Sequence, residues 1–394
     1  MARQILSLNQ ISLKGLERLP RDRYEIASEF IHPEAILLRS HKLAEKDIAG
    51  SVLAIARAGA GVNNIPVAAC TARGIPVFNS PGANANAVKE LVATGLLLGS
   101  RGVVAGIDYV RTLDNISDGA ELNRVLEANK KQFKGKELVG KTLGVVGLGA
   151  IGSLVAEMAL TLGMDVIGYD PALSVDAAWR LSSQVRKADT LSGLFGRCDF
   201  ISLHLPVLEQ TRGLINAELL GAMQSGTCLL NFARQEIVDQ PSLLAALDSG
   251  KLRSYIADFP TPELIGRDDV ILMPHIGAST EEAEDNCAIM VADQLRDFLE
   301  NGNIRNAVNF PTLQLERVTG CRLSITNENV PKILGHVLSI LADADINVID
   351  MLNKSREQIA YNLIDISGGM TDEILESMRA IKGVINVRLI GDCG

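Results

Sequence analysis

The sequence predicts an α/β protein: two doubly wound parallel-sheet domains followed by a small C-terminal βαββαβ module. Three observations lead there. Short apolar runs alternate with helical patterns from Arg3 to Ser80, six more such runs follow between Lys141 and Pro274, and the rhythm changes after Cys321. Parallel strands need crossover connections, so the alternation itself argues for βαβ units.

Composition sets the outer limits. A chain of 394 residues, 47% hydrophobic, has room for two to four cores and is not disordered. With 38 basic and 47 acidic side chains the net charge is −9, which excludes nucleic acid as the main partner but not a small anion met by a few arginines. The best candidate membrane span, Leu91 to Val110, is broken by Arg101 and Asp108, so no membrane partner is expected. MARQILSLNQ lacks the apolar stretch of a secretion leader, and the six cysteines (Cys70, Cys198, Cys228, Cys287, Cys321, Cys393) show no CxxC pairing. They read as reduced thiols of a cytoplasmic protein, with no metal site.

In order along the chain, RQILSL, AILLRS, LAIARAG and IPVFNS are the expected strands of a first sheet. A single long helix is expected from Asn84 to Val110, suited to connecting domains or meeting another subunit. KTLGVVG, MDVIGYD, CDFISLHL, TCLLNFA, SYIADF and DVILMP form the second sheet, and Glu281 to Gly302 is helical. Beyond the linker around Pro311, RLSITN, a helix from Pro331 to Asp343, INVIDMLN, QIAYNLIDI, a helix DEILESMRAI and GVINVRLI spell a ferredoxin-like βαββαβ module. The expected division is 1–95 with 286–312, then 96–285, then a separate module at 319–394. Removing that module after Thr312 should leave the catalytic motifs working.

The strongest local motif is Gly147-Leu148-Gly149-Ala150-Ile151-Gly152, which follows a strand and opens a helix. In this Rossmann-like setting the first glycine permits a tight turn, the second lets a pyrophosphate approach the backbone, and the third lets helix and strand pack closely. The phosphates then meet amides at a helix N-terminus. Asp170 ends the next strand, where a carboxylate holds ribose hydroxyls and repels a 2′-phosphate, so the expected cofactor is NAD.

NFARQEIVD, DFPTPE and PHIGAST follow the fingerprint in that order. Together these motifs resemble the D-isomer-specific 2-hydroxy-acid dehydrogenases from about Arg3 to Pro311, and the terminal module resembles their ACT regulatory domain. The resemblance implies that Arg234 grips the substrate carboxylate and carbonyl, and that His275 is the acid–base, oriented by Glu263. The chemistry fits those residue types: histidine exchanges a proton near neutrality, and arginine binds a carboxylate bidentately. It further implies cofactor contacts from His204, Leu205, Pro206 and Thr211 in HLP…T, and from Phe232, Ala233, Asp258 and Gly277. Gln235 follows Arg234 where glycine is usual, and DFPTPEL departs from the usual DVFxxEP.

Substrate identity must come from the first domain. Arg39 and Ser40 end one strand, and Arg57 leads into Gly59, Ala60 and Gly61 after another, the end at which α/β sheets bind ligands. Two arginines suit a doubly anionic acid, and within the family the resemblance is to the branch that oxidises 3-phosphoglycerate on the route to L-serine. In the ACT-like module Asn327, Asn329 and Asn347 match positions that bind L-serine between paired subunits, implying an effector site and a homo-oligomer, dimer or tetramer. Asn327 stands where histidine is common and Lys332 where glycine is. Two alternatives stay open: a reductase of glyoxylate, hydroxypyruvate or 2-oxoglutarate, and a non-enzymatic NAD-sensing corepressor.

Overall fold

The computed structural model describes residues 2–318 and 321–391, which form two compact units. One comprises 1–84 with 281–394 and the other 85–280.

In the first unit, β1 (Arg3–Leu8), β2 (Tyr24–Ala27), β3 (Ala35–Leu38), β4 (Ala54–Arg57) and β5 (Val77–Phe78) form a parallel sheet in the order β2-β1-β3-β4-β5. The four expected strands are all present. Tyr24–Ala27 is an addition: its YEIA run is only partly buried, so its apolar signal is weak.

The second unit holds β6 (Thr142–Val146), β7 (Asp165–Tyr169), β8 (Arg186–Lys187), β9 (Phe200–Leu203), β10 (Thr227–Asn231), β11 (Leu252–Ala257) and β12 (Val270–Leu272). All pair in parallel in the order β12-β11-β10-β9-β6-β7-β8. The strand order reverses between β6 and β9, so the ligand crevice of this sheet lies at their C-terminal ends. The two-residue β8 is charged and exposed, and no apolar run announced it.

The long helix expected over Asn84 to Val110 is two helices, Ala85–Ser100 and Val103–Arg111, bent by 71°. Gly102 is the break: a Cβ there would stand 3.0 Å from the Phe133 backbone. The first half is core, with Val88, Val92 and Leu96 buried, while the second exposes Val103, Val104, Ile107 and Val110. Among the described residues no single helix is long and apolar enough to cross a membrane.

The C-terminal sheet contains β13 (Cys321–Glu328), β14 (Val348–Arg356), β15 (Ile359–Ile366) and β16 (Val384–Ile390), antiparallel in the order β14-β15-β13-β16. Helices Ile333–Asp343 and Asp372–Arg379 cover one face, burying Leu323, Ile325, Ile364, Val337 and Met378. The opposite face is not free. Ile359, Tyr361 and Leu363 share a core with Phe78, Phe298 and Phe310. Tyr361 donates to the Gly302 carbonyl at 2.7 Å, and the Arg388 guanidinium lies 4.4 Å from the centre of the Phe298 ring. Arg322, fully buried, donates to both oxygens of Asp365 and to the carbonyls of Asn301, Leu315 and Glu316. The module has its own helix-covered core, and its other face is an integral part of the core of the first unit. The expectation of reduced cysteines needs a correction. Cys70, Cys198, Cys228 and Cys287 are free and buried, but Cys321 is disulfide-bonded; Cys393 lies outside the described residues.

Candidate active site

Every candidate residue of the second unit follows the C-terminal end of a strand, and because the strands are parallel these ends share one edge of the sheet. After β6, Gly147 adopts φ +90°, and a Cβ on it would lie 2.4 Å from the His204 carbonyl oxygen. A Cβ on Gly152 would lie 1.8 Å from the Gly147 oxygen, so helix and turn touch backbone to backbone there. Gly149 caps the helix Ala150–Thr161, and nothing stands within 4 Å of its missing side chain. A tight turn, an open approach and a close contact are thus assigned to three successive glycines. After β7, Asp170 accepts from the Leu148 amide at 2.9 Å and the Ala172 amide at 2.9 Å. Its carboxylate sits beside the glycine turn, where a ribose on a dinucleotide would lie. The residues fit an NAD-type cofactor.

After β9, the His204 ring meets the Ser202 hydroxyl through Nε2 at 2.8 Å, while its buried Nδ1 has no partner. Burial pushes its pKa down to about 3, so the ring is neutral near pH 7. Leu205 is half-buried, packing towards Gly147. Thr211 was expected to face the cofactor, but its hydroxyl donates to the Pro206 carbonyl and accepts from the Leu208 amide, closing the 206–211 loop on itself.

Beyond β10, the Phe232 side chain is core rather than site, with its ring against Gly95, so only its backbone remains for a cofactor. Asn231 shapes the turn. It accepts from the Ala233 amide and donates to the Arg234 carbonyl and to Tyr255 Oη. Half-buried Arg234 donates to the Ala233 carbonyl at 2.6 Å and enters no salt bridge among the described residues, so its charge is available to an anion.

Beyond β11, buried Asp258 accepts from the amides of Ile276 and Gly277 at 2.8 and 2.6 Å. Both its oxygens hold the histidine loop. The loop is strained: His275 sits at φ +59°, exposed, its ring 4.9 Å from that of Phe259. The expected Glu263–His275 pair is not formed. Exposed Glu263 accepts instead from Gln240 Nε2 at 2.7 Å, and Gln240 also reaches Thr261. A bond to its own backbone, then the one to Gln240, hold the Glu263 carboxyl below its usual range. Gln240 carries no sequence signal, because the contact spans 23 residues.

In the first unit, Arg57 Nε donates to the Arg39 carbonyl at 3.0 Å, which joins the ends of β3 and β4. A Cβ on Gly59 would stand 2.3 Å from Arg57 Nη1, so the guanidinium lies over that glycine. The Ala60 carbonyl accepts from Asn79, while Ser40 and Gly61 lie at the surface or partly so. Arg39 pairs with Glu284 at 2.8 Å.

The three asparagines of the C-terminal module do not converge. Asn327 is buried and bonded to Asn362 under the helices. Asn329 bonds beside Glu357 and Gln358, whereas Asn347 bonds to Ser367 at the other end of the sheet. Lys332, at φ +80°, occupies a conformation that favours glycine.

Residues 105–277 match the family described as "D-isomer specific 2-hydroxyacid dehydrogenase, NAD binding domain". D-3-phosphoglycerate dehydrogenase of Haemophilus influenzae is 33% identical over 385 residues, 94% of this chain and 90% of that protein. The Synechocystis enzyme of the same name is 40% identical over 71% of this chain, which spans about half (49%) of that relative's length. The NAD+-bound 3-phosphoglycerate dehydrogenase structure from Entamoeba histolytica aligns with TM-score 0.61 and 28% identity, covering 78% of this chain and 99% of that one. With the glycine turn, Arg234, Glu263 and His275 all following strand ends of one parallel sheet, the chain belongs to the D-isomer-specific 2-hydroxyacid dehydrogenase family.

Proposed function

We propose that the chain oxidises 3-phosphoglycerate to 3-phosphohydroxypyruvate with NAD, the first step of the phosphorylated route to L-serine, as a cytoplasmic homo-oligomer. NAD supplies the hydride acceptor. Arg234, which pairs with no carboxylate among the described residues, holds the substrate carboxylate and steadies the carbonyl oxygen as it forms. His275 takes the hydroxyl proton, and Asp258 fixes its loop. Glu263 exchanges its Gln240 partner for the imidazolium that results, where a carboxylate is worth most.

The observation that carries the substrate class is the Arg57–Arg39 link, which brings two guanidinium-bearing strand ends into one loop cluster. An unphosphorylated acid needs no such pair. Val103, Val104, Ile107 and Val110, exposed on the helix Val103–Arg111, supply apolar surface for a second copy. In the C-terminal module, Asn329 and Asn347 lie about 30 Å apart along the strands at ~3.4 Å per residue, so L-serine bound by both requires two modules side by side.

The test is NAD reduction, followed as absorbance, with 3-phosphoglycerate against D-glycerate, glycolate and D-2-hydroxyglutarate. The reading expects 3-phosphoglycerate to have the highest kcat/KM. Equal or better turnover of an unphosphorylated acid refutes it.

A further inference from the structure

Arg39, one of the two arginines proposed to meet the substrate phosphate, already holds an anion. Its Nη2 lies 2.8 Å from Glu284 Oε1, with the two side chains 37% and 44% exposed. Arg57 is tied to the Arg39 backbone, and buried Cys287, one turn beyond Glu284, feels the charges of Arg39, Arg57 and Glu284 together. Four groups from three elements therefore share one locus.

We propose that Glu284 is a built-in competitor for the phosphate subsite, a specificity-determining residue that occupies Arg39 until a stronger anion displaces it. The proposal rests on the phosphoglycerate reading above. Displacement is easy for two reasons. An exposed pair of this kind contributes only about 0.2–1 kcal/mol. Glu284 also lies in the first turn of the helix Glu281–Asn301, where the helix dipole favours a carboxylate whether or not it is paired. A phosphate dianion carries more charge than the carboxylate and more oxygens for a planar guanidinium, so it takes Arg39. A hydroxy acid without a phosphate offers nothing at that position, and the pair stays closed. Glu284 thus keeps the subsite neutral when empty, at a cost in phosphate affinity that an unphosphorylated acid does not bear.

The experiment compares wild type, Glu284→Gln, Glu284→Asp and Arg39→Ala, with Glu284→Gln/Arg39→Ala as the double variant, on 3-phosphoglycerate and D-glycerate. Removing the competing charge should lower KM for 3-phosphoglycerate about two- to fivefold, the worth of an exposed ion pair, with little change in kcat. The ratio of kcat/KM values, phosphorylated over unphosphorylated, should rise by the same factor. Glu284→Asp, which keeps the charge, should stay near wild type, and the gain should vanish in the Arg39→Ala background. The proposal is overturned if Glu284→Gln leaves KM for 3-phosphoglycerate unchanged or raises it while the wild type still prefers that substrate. If the wild type does not prefer 3-phosphoglycerate, the functional reading fails first and takes the proposal with it. A structural role for Glu284 would lower kcat on both substrates alike.

Discussion

Replacing Arg322 with alanine should destabilise the first unit by about 3–5 kcal/mol, the usual cost of leaving one partner of a buried ion pair alone. Arg322 is fully buried and Asp365 is 2% exposed, and they sit directly opposite on β13 and β15. All five guanidinium N–H groups are used: two on Asp365 (2.6 and 2.8 Å) and three on the carbonyls of Asn301, Leu315 and Glu316 (2.9, 3.0 and 3.2 Å). Truncation strands a buried carboxylate and three carbonyls, each such group costing about 1–3 kcal/mol before relaxation. Against a typical total of 5–15 kcal/mol the loss is large. For a unit of roughly 200 residues it corresponds to a fall in Tm on the order of 10 °C. Urea titration followed by far-UV circular dichroism gives the free energy, and a thermal scan gives the Tm. Asp365→Ala should be comparably damaging, because it leaves the guanidinium charge buried. A loss below about 1 kcal/mol for Arg322→Ala would mean that water reaches this pair, and the account of the module as an integral part of the unit would fall.

Four further outcomes follow from the same structure. Truncation after Thr312 should abolish folding of the first unit instead of merely removing regulation, because it strips Tyr361 and Leu363 from Phe298 and Phe310; circular dichroism of the purified fragment decides this. His275→Ala should lower turnover by roughly 10²–10⁴ with NAD affinity nearly unchanged, read by steady-state kinetics and by calorimetry with NAD. Lys332→Gly should raise stability by up to about 1 kcal/mol by relieving a left-handed backbone, measured by urea midpoint. His204 has a folded pKa of about 3 against an unfolded value of 6.5, so the folded state binds fewer protons. Its contribution to stability is therefore full above pH 6.5 and is lost as pH falls towards 3, amounting to about 3 kcal/mol by pH 4. His204→Gln should flatten that slope by one proton, and unchanged slopes would show that the ring titrates freely.

Much of the architecture was legible because it obeys short-range rules. The glycine turn announces itself by needing φ +90° at Gly147 and no side chain at Gly152, constraints that act within six residues. The β10 run TCLLN is buried throughout, with three apolar residues in a row, because a central parallel strand is covered on both faces. The same rule held information that periodicity alone does not use. In β15, Ile364 and Ile366 face the helices, while Ile359, Tyr361 and Leu363 are equally apolar on the other side. A strand apolar on both faces, carrying Asp365 opposite Arg322 of β13, already implied a second layer, which the βαββαβ pattern by itself leaves out. The break at Gly102 was illegible, since a glycine inside an apolar helical pattern becomes a stop only through its contact with Phe133.

The site divides along the same line. Residue types and their order follow from what the chemistry needs, so Arg234, Glu263 and His275 stand after the ends of β10, β11 and β12, as the motifs led us to expect. Which group touches which is a matter of three dimensions. The Glu263 carboxylate has the Gln240 amide as its partner, and one face of the His275 ring has Phe259, the aromatic residue that directly follows Asp258 in the atypical DFPTPEL segment. Asp258 is the group that places His275. Its two oxygens accept from the amides of the two residues immediately after the histidine, and so hold that histidine at φ +59°. Holding a residue there costs about 1–3 kcal/mol, and two short charge-assisted bonds are the right size to offset it. The histidine is therefore presented by its backbone, with its ring beside Phe259 and with the Glu263 carboxylate held by Gln240.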